Sequence, residues 1–175
     1  MAQKIVTKLK KVKIAFTGPE SSGKTTMSMW LSNHLSCEMV SEYAREYLSV
    51  NMDYQIEDLN AIAKEQYLRN SAPNKLIIDT EMLVMKIWCE EKYTVCSKDI
   101  LALYKEQEID HYFLCKPDIP WESDILRENP NDRGRLFEVY ERNLLEVGAS
   151  FNILSGSIEA RKVFIINTLK NLNIL

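Results

Sequence analysis

Short β-branched and apolar runs alternate along the chain with longer segments in which apolar residues recur every three or four positions. The runs predict β-strands and the longer segments predict amphipathic helices. Strands are predicted at 12–17, 38–41, 75–79, 111–115 and 151–154. Helices are predicted at about 24–36, 43–50, 56–70, 82–92, 97–108, 135–147 and 158–172. This alternation implies right-handed crossovers and a parallel sheet with helices on both faces.

One stretch breaks the alternation. Pro117, Pro120, Pro130 and Gly134 punctuate the segment between the fourth strand and the next helix. Proline and glycine interrupt regular structure in this way. The strands and their crossovers otherwise occupy the chain, so we expect a single domain over residues 1–175 with a lid segment at about 117–135. Ligands of such a sheet bind beyond the carboxyl ends of its strands, where we look for functional residues.

The segment from Gly18 to Thr25 follows the first strand and opens the first helix. Its sequence, Gly-Pro-Glu-Ser-Ser-Gly-Lys-Thr, fits the P-loop pattern G-x-x-x-x-G-K-[ST]. The backbone N–H groups of such a loop point inward at phosphate, and the following helix presents its positive N-terminus. Lys24 is predicted to reach the β- and γ-phosphates of ATP, and Thr25 to ligate Mg²⁺. The predicted ATP-binding residues of this segment are Gly18, Glu20, Ser21, Ser22, Gly23, Lys24, Thr25 and Thr26.

Asp79 ends the third predicted strand. A P-loop site needs a carboxylate at such a strand end to hold Mg²⁺, directly or through water. We therefore predict that Asp79 and Thr25 form the metal site. An aspartate between a strand and a helix is also a common helix N-cap, and Met82 begins a helix soon after. The two roles are compatible, and both stay open at this point.

Glu42, Tyr43 and Arg45 directly follow the second predicted strand, and we predict that they contact the substrate. Either Glu42 or Asp79 is expected to orient the acceptor hydroxyl and take its proton, because each carboxylate lies at a strand end. The alternative for Glu42 and Arg45 is a local ion pair on a helix, which contributes about 0.2–0.5 kcal/mol to stability.

Three arginines lie in or beside the irregular segment. A solvated arginine needs no function, but three within nine residues of a segment rich in proline fit a lid over transferring phosphate. Arg127 and Arg133 are predicted to be catalytic, and Arg135 to bind the nucleotide. Trp121 lies on the same segment and is predicted to contact the substrate. Trp88 lies in an apolar helix, which favours a place in the core.

Composition limits the class of partner. Hydrophobic residues make up 46% of the chain and charged residues 27%, and the net charge is −3, so no basic surface for nucleic acid is indicated. The apolar runs are too short for a membrane span, and the basic N-terminus lacks a secretory core. The four cysteines have no metal-binding spacing. We expect a cytoplasmic protein with small-molecule partners, and the oligomeric state stays open.

Several segments beyond the P-loop carry a family resemblance. They read Ser-Glu-Tyr-Ala-Arg-Glu-Tyr-Leu at 41–48, Asp-Thr-Glu at 79–81, Ile-Trp-Cys-Glu at 87–90 and Leu-Cys-Lys-Pro-Asp-Ile-Pro-Trp-Glu at 114–122, followed by the arginines of the lid. In this order they resemble the ribosylnicotinamide kinase domain of the bifunctional bacterial NAD-salvage protein, which also occurs as stand-alone chains. Glu81 departs from the Asp-Thr-Asp expected in that family.

The resemblance implies an ATP- and Mg²⁺-dependent kinase that phosphorylates the 5′-hydroxyl of nicotinamide riboside. It also implies an α/β P-loop NTPase fold, with a five-stranded parallel sheet that we expect in the order 2-3-1-4-5. Adenylyl transfer is not expected, because the chain contains no His-x-Gly-His motif. The alternatives are a P-loop kinase for another nucleoside or small metabolite, and a nucleotide-dependent regulatory ATPase.

The proposed acceptor carries a pyridinium charge, which carboxylates and aromatic faces stabilise. Carboxylates follow several predicted strand ends or lie on the lid segment. They are Glu42, Asp79, Glu81, Glu122 and Asp124. These residues are compatible with a cationic acceptor.

Overall fold

The structure is a computed structural model and describes residues 12–49, 53–73, 75–124, 127 and 130–175. The strands are β1 (Ile14–Thr17), β2 (Glu38–Val40), β3 (Lys75–Asp79), β4 (His111–Cys115) and β5 (Phe151–Leu154). The helices are α1 (Lys24–Leu35), α2 (Tyr43–Leu48), α3 (Ile56–Ser71), α4 (Met82–Tyr93), α5 (Lys98–Glu106), α6 (Arg133–Glu146) and α7 (Ile158–Asn171).

The five strands form one sheet in the order β2-β3-β1-β4-β5, and every neighbouring pair is parallel. The predicted fold class and strand order are confirmed. Phe16 pairs with both Asp79 and Phe113, so the ends of three central strands lie side by side. The P-loop, the residue Asp79 and the start of the irregular segment therefore come together at one edge of the sheet.

Apolar side chains cover both faces of the sheet, as the crossovers require. Helices α1 and α7 pack on one face with Met27, Leu31, Ile165 and Leu169. Helices α4 and α6 pack on the other face with Leu83, Ile87, Leu136, Tyr140 and Leu144. A third apolar cluster joins α2, α3, α4 and α5 beyond this second face. This packing fixes which side of α4 and α6 meets the carboxyl edge of the sheet.

Some helix boundaries differ from the predicted ones. The helix predicted at 97–108 ends at Glu106, because Gln107 adopts an extended conformation and its side chain accepts a hydrogen bond from the Met82 N–H at 3.0 Å. The helix predicted from 135 begins at Arg133. The helix predicted at 43–50 ends at Leu48, and position 50 lies outside the described residues.

Within the described ranges, no helix combines the length and the apolar character that a membrane crossing requires.

Candidate active site

The turn from β1 into the P-loop requires a glycine at position 18. Gly18 has φ of +127°, and a Cβ there would lie 2.7 Å from the carbonyl oxygen of Cys115. That distance is shorter than any side chain tolerates, and the neighbouring atoms are backbone of β4, which cannot move aside. Gly23, at the N-cap of α1, has φ of +88°. Glycine adopts such angles without a steric penalty, so both glycines of the motif serve the conformation of the loop.

Lys24 is the charged residue at the mouth of the P-loop. Its Nζ atom donates hydrogen bonds to the carbonyl oxygens of Gly18 and Pro19, at 2.7 and 2.8 Å. Within the same loop, the Ser22 hydroxyl donates to the Pro19 carbonyl at 2.7 Å. The lysine is half-buried, so its charge acts in a partly dry setting at the positive end of α1.

A cavity of about 480 Å³ opens over the P-loop. The loop and the start of α1 form its floor, and the segment after β4, residue Arg127 and the start of α7 form its walls. Its lining includes Glu20, Ser21, Ser22, Gly23, Lys24, Thr25, Thr26, Ile119, Pro120, Arg127, Ser157 and Ile158. Every predicted ATP-binding residue of the motif except Gly18 lines this cavity. Its volume is in the range of small-molecule sites, and it lies at the N-terminus of α1, where phosphate groups bind.

Asp79 is 2% exposed and interacts with Thr25 and Lys24 of the cavity lining, and its Oδ1 atom has no hydrogen-bond partner among the described residues. Burial raises the pKa of this carboxyl to about 6, while hydrogen bonding from the Thr25 side chain and the charge of Lys24 act in the opposite direction. A buried carboxylate oxygen without a partner is costly unless a cation completes it. Thr25 and Asp79 together therefore fit Mg²⁺, which prefers hydroxyl and carboxylate oxygens.

The N-cap of α4 is Glu81, and not Asp79. Its side chain accepts hydrogen bonds from the Leu83 N–H at 2.5 Å, the Thr17 hydroxyl at 2.8 Å and the Gln107 amide at 3.1 Å. Glu81 is fully buried, and burial raises the pKa of its carboxyl. The alternative that Asp79 is the N-cap of this helix is therefore wrong. Glu81 joins the end of β1 to α4 and does not line the cavity over the P-loop.

Glu42 lies at the N-cap of α2, where the second strand ends. Its Oε2 atom is 2.8 Å from Nε of Arg45, and Nη1 of Arg45 donates to Asp124 at 2.9 Å. Arg45 thus links Glu42 to the irregular segment, and both residues line the P-loop cavity. Tyr43 lies elsewhere: its ring packs under the Arg69 guanidinium at 4.2 Å and against Tyr47.

A second, smaller cavity of about 140 Å³ adjoins the first. It shares Glu20, Lys24 and Glu42 with the P-loop cavity. Its other walls come from α4 and α6, which contribute Val84, Ile87, Trp88, Glu91, Lys92, Leu136 and Tyr140. The two cavities therefore meet at one lysine and two carboxylates.

Trp88 has two environments in the structure. It packs edge-on against Tyr54, to whose hydroxyl its Nε1–H donates at 3.0 Å, and it also lines the second cavity. The apolar helix pattern predicted a place in the core for Trp88, but it did not predict that Trp88 lines a cavity. A signal for it exists, because Val84, Ile87, Trp88 and Glu91 recur at helical spacing directly after the strand that ends in Asp79.

The arginines of the irregular segment lie in different places. Arg133 donates to the carbonyl oxygens of Ser21 and Ile119, at 2.9 and 3.2 Å. Arg127 lines the P-loop cavity and donates to the Glu122 carbonyl. Arg135 lines neither cavity and forms an ion pair with Glu91 at 2.5 Å.

The irregular segment itself contacts the P-loop. The Ser21 hydroxyl accepts a hydrogen bond from the Glu122 N–H at 2.9 Å. Trp121 lies beside the Arg133 guanidinium, with 5.5 Å between the charge centre and the ring, and it is not part of either cavity lining. Residues 125, 126, 128 and 129 of the predicted lid lie outside the described residues.

The fold and this edge of the sheet define the class of protein: it has a P-loop NTPase fold. A profile described as an AAA domain matches residues 13–161. That range covers most of the chain, and the chain belongs to this AAA-domain family.

Two curated relatives match much of the sequence. Both are the trifunctional NAD biosynthesis/regulator protein NadR. The protein from Escherichia coli (strain K12) is 28% identical over 149 residues, covering 76% of this chain and 36% of the relative. The protein from Salmonella typhimurium (strain LT2) is 28% identical over 124 residues, covering 65% and 30%. The chain thus spans about a third of the length of these relatives, and the family resemblance seen in the sequence is confirmed.

Solved structures agree on the fold. A NadR protein in complex with NR superposes with a TM-score of 0.71 at 20% identity, over 95% of this chain and 52% of that one. A deoxyadenosine kinase from M. mycoides, with dCMP and dCDP bound, superposes with a TM-score of 0.67 at 16% identity. That match covers 92% of this chain and all of the kinase chain.

Proposed function

We propose that this protein is an ATP-dependent kinase that transfers the γ-phosphate to the 5′-hydroxyl of nicotinamide riboside, giving nicotinamide mononucleotide. The observation that carries the proposal is the meeting of two cavities at Lys24 and Glu42. A transfer enzyme needs donor and acceptor sites in contact, whereas an ATPase needs only the first. The similarity to NadR, one structure of which holds NR, supports the choice of acceptor.

The donor ATP would occupy the P-loop cavity. The loop N–H groups and Lys24 would bind its phosphates, and Arg127 and Arg133 would approach from the lid segment. Thr25 and Asp79 would hold Mg²⁺, which, when bound, supplies positive charge against the phosphate oxygens.

The acceptor would lie in the second cavity with its hydroxyl against Glu42. The 5′-oxygen forms a bond to the γ-phosphorus while the bond from that phosphorus to the β,γ-bridging oxygen breaks. The hydroxyl proton passes to the Glu42 carboxylate, and ADP leaves with the bonding electrons. Arg45 holds this carboxylate in place through the contact of 2.8 Å. The roles of Glu42 and Asp79 are thus separated into proton transfer and metal binding.

The aromatic platform of the acceptor site is Trp88, with Tyr140 beside it. A cationic ring over an aromatic face gains about 0.5–2 kcal/mol. The carboxylates in the lining of this cavity, Glu20, Glu42 and Glu91, outnumber its lysines, Lys24 and Lys92. Trp121, which the sequence suggested for this role, has the Arg133 guanidinium beside its ring instead.

A panel of acceptors tests the function. ADP release in the presence of ATP and Mg²⁺ is expected to rise with nicotinamide riboside, and to rise less with its reduced, uncharged form or with adenosine and cytidine. Trp88→Ala should reduce the preference for the charged form by about twofold to thirtyfold, because it removes the cation–π contact.

The matched control is Trp30→Ala, since Trp30 stacks on His34 of α1 on the opposite face of the sheet. It should lower stability without altering the acceptor preference. A preference for a neutral nucleoside would indicate the second candidate, a kinase for another nucleoside, which the likeness to deoxyadenosine kinase favours. ADP release that no acceptor stimulates would contradict both.

The metal role of Asp79 gives a separate prediction. Asp79→Asn should raise the Mg²⁺ concentration needed for half-maximal activity by about tenfold to hundredfold, because an amide is a weaker partner of the cation. Excess Mg²⁺ should restore part of the rate at a fixed ATP concentration. The control is Asp99→Asn, on the exposed start of α5. An unchanged Mg²⁺ requirement in Asp79→Asn would argue against the metal site.

A further inference from the structure

Arg161 is a completely buried arginine in the first turn of α7. Its guanidinium donates four hydrogen bonds. Nη1 donates to the Ser22 carbonyl at 2.6 Å, Nε to the Gly156 carbonyl at 3.0 Å, and Nη2 to the Lys116 carbonyl at 2.8 Å and to Asp118. These acceptors lie on the loops that follow β1, β5 and β4. One side chain therefore joins three loops at the carboxyl edge of the sheet.

The contact with Ser22 bears on the phosphate site. All peptide bonds of the described chain are trans, so the Ser22 carbonyl and the Gly23 N–H of the same peptide point in opposite directions. The guanidinium fixes the carbonyl toward Arg161, which leaves the Gly23 N–H directed away from Arg161, and Gly23 lines the P-loop cavity. A Cβ on Gly23 would lie 3.3 Å from Nη1 of Arg161, which is tighter than most side-chain contacts, so the guanidinium leaves little room beside this glycine.

The charge of Arg161 is compensated by Asp118. The carboxylate accepts from Nη2 of Arg161 with one oxygen and from the Gly156 N–H, at 2.8 Å, with the other. Burying an arginine costs free energy that pairing only partly offsets, and an apolar residue would fill the same space at lower cost. The arginine guanidinium offers five N–H donors in a fixed planar arrangement, which neither an apolar residue nor a lysine provides.

We infer that Arg161 is a positioning residue of the phosphate site: it holds the Ser22–Gly23 peptide so that the Gly23 N–H faces the phosphates of the nucleotide. It does so through backbone contacts and does not line the cavity itself. The inference rests on the assignment of the P-loop cavity to ATP in the proposed function. It does not depend on the identity of the acceptor.

The test compares Arg161→Lys with the wild-type protein in calorimetric titrations of ATP·Mg²⁺ and of adenosine. Lysine keeps the charge, but its three donors lie on one nitrogen, so it lacks the planar fork that reaches acceptors on three loops. The affinity for ATP should fall by about tenfold to hundredfold, and the affinity for adenosine by less than about threefold. A purely structural role would weaken both equally. Arg142→Lys, on the exposed side of α6, is the matched control and should change neither.

A second variant covers the case in which Arg161→Lys does not fold. Asp118→Glu keeps both charges and displaces the carboxylate by one methylene group, so it shifts the guanidinium without removing it. This substitution should also weaken the binding of ATP more than the binding of adenosine. Equal ATP affinity in the wild type and the folded variants, or an equal loss for both ligands, would overturn the inference. If Arg161→Lys weakens ATP binding as expected but the wild-type protein phosphorylates no nucleoside, the proposed function is overturned and the inference about Arg161 stands.

Discussion

Replacing Lys24 with alanine is expected to lower kcat/KM for phosphoryl transfer by at least about a hundredfold while leaving the fold intact. The Nζ atom lies at the junction of the two cavities, where the transferring phosphoryl group would pass. Its charge would oppose the negative charge on that group in a partly dry site, where electrostatic interactions are stronger than in water. Steady-state kinetics with ATP and the best acceptor measures the loss.

The stability of this variant is the necessary companion measurement. Within the part of the chain that the structure describes, Lys24 donates its hydrogen bonds to loop carbonyls, at 2.7 and 2.8 Å, and the residue is half-buried, so the loss in the free energy of unfolding should be small. Lys105→Ala, an exposed position on α5, controls for the removal of a lysine. Unchanged turnover in Lys24→Ala would refute the P-loop assignment.

Glu42→Gln is expected to lower kcat by about a hundredfold to ten-thousandfold, with a much smaller change in KM for the acceptor. Glutamine retains the size of the side chain and can still accept a hydrogen bond from the acceptor hydroxyl, but it cannot take the proton. The lost ion pair with Arg45 is 41% exposed on the arginine side and contributes less than about 1 kcal/mol to stability. Kinetics with both substrates varied separates the two effects.

The opposite pattern would change the assignment of the base. If KM for the acceptor rises while kcat holds, Glu42 binds the ribose and the proton goes elsewhere, with Asp79, next to Thr25 and Lys24, as the other candidate base. Glu106→Gln, at the exposed end of α5, is the matched control and should leave both constants unchanged.

The sequence predicted the parts of the site that depend on local order. Gly18, Lys24 and Asp79 lie where they were expected because strand ends and a P-loop are local features, and parallel strands bring their carboxyl ends together. The sheet order followed from the same pattern and the family resemblance, and it is confirmed.

What the sequence did not predict depends on contacts between distant segments. The second cavity exists because α4 and α6 are rotated so that Trp88 and Tyr140 face the same space. Helical periodicity gives a face for each helix but not its partner. Arg161 bonds to Ser22 across 139 positions of sequence, and no local pattern marks such a contact. Arg135 was grouped with the lid because it lies close to the lid in the sequence. Its ion pair with Glu91 is a tertiary contact, which no local pattern indicates.

The division of the walls between the two cavities has a consequence for protein engineering. The P-loop, the segment after β4 and the start of α7 line the P-loop cavity, while α4 and α6 supply the outer wall of the second cavity, the proposed acceptor site. Substitutions at Val84, Ile87 or Leu136 can therefore reshape the acceptor side without touching a phosphate-binding group. Glu81 should stay unchanged, because its carboxylate accepts hydrogen bonds from Thr17 of β1 and from the Leu83 N–H in the first turn of α4. A library that diversifies the α4–α6 wall and keeps Glu81 would change substrate choice with the donor chemistry left in place.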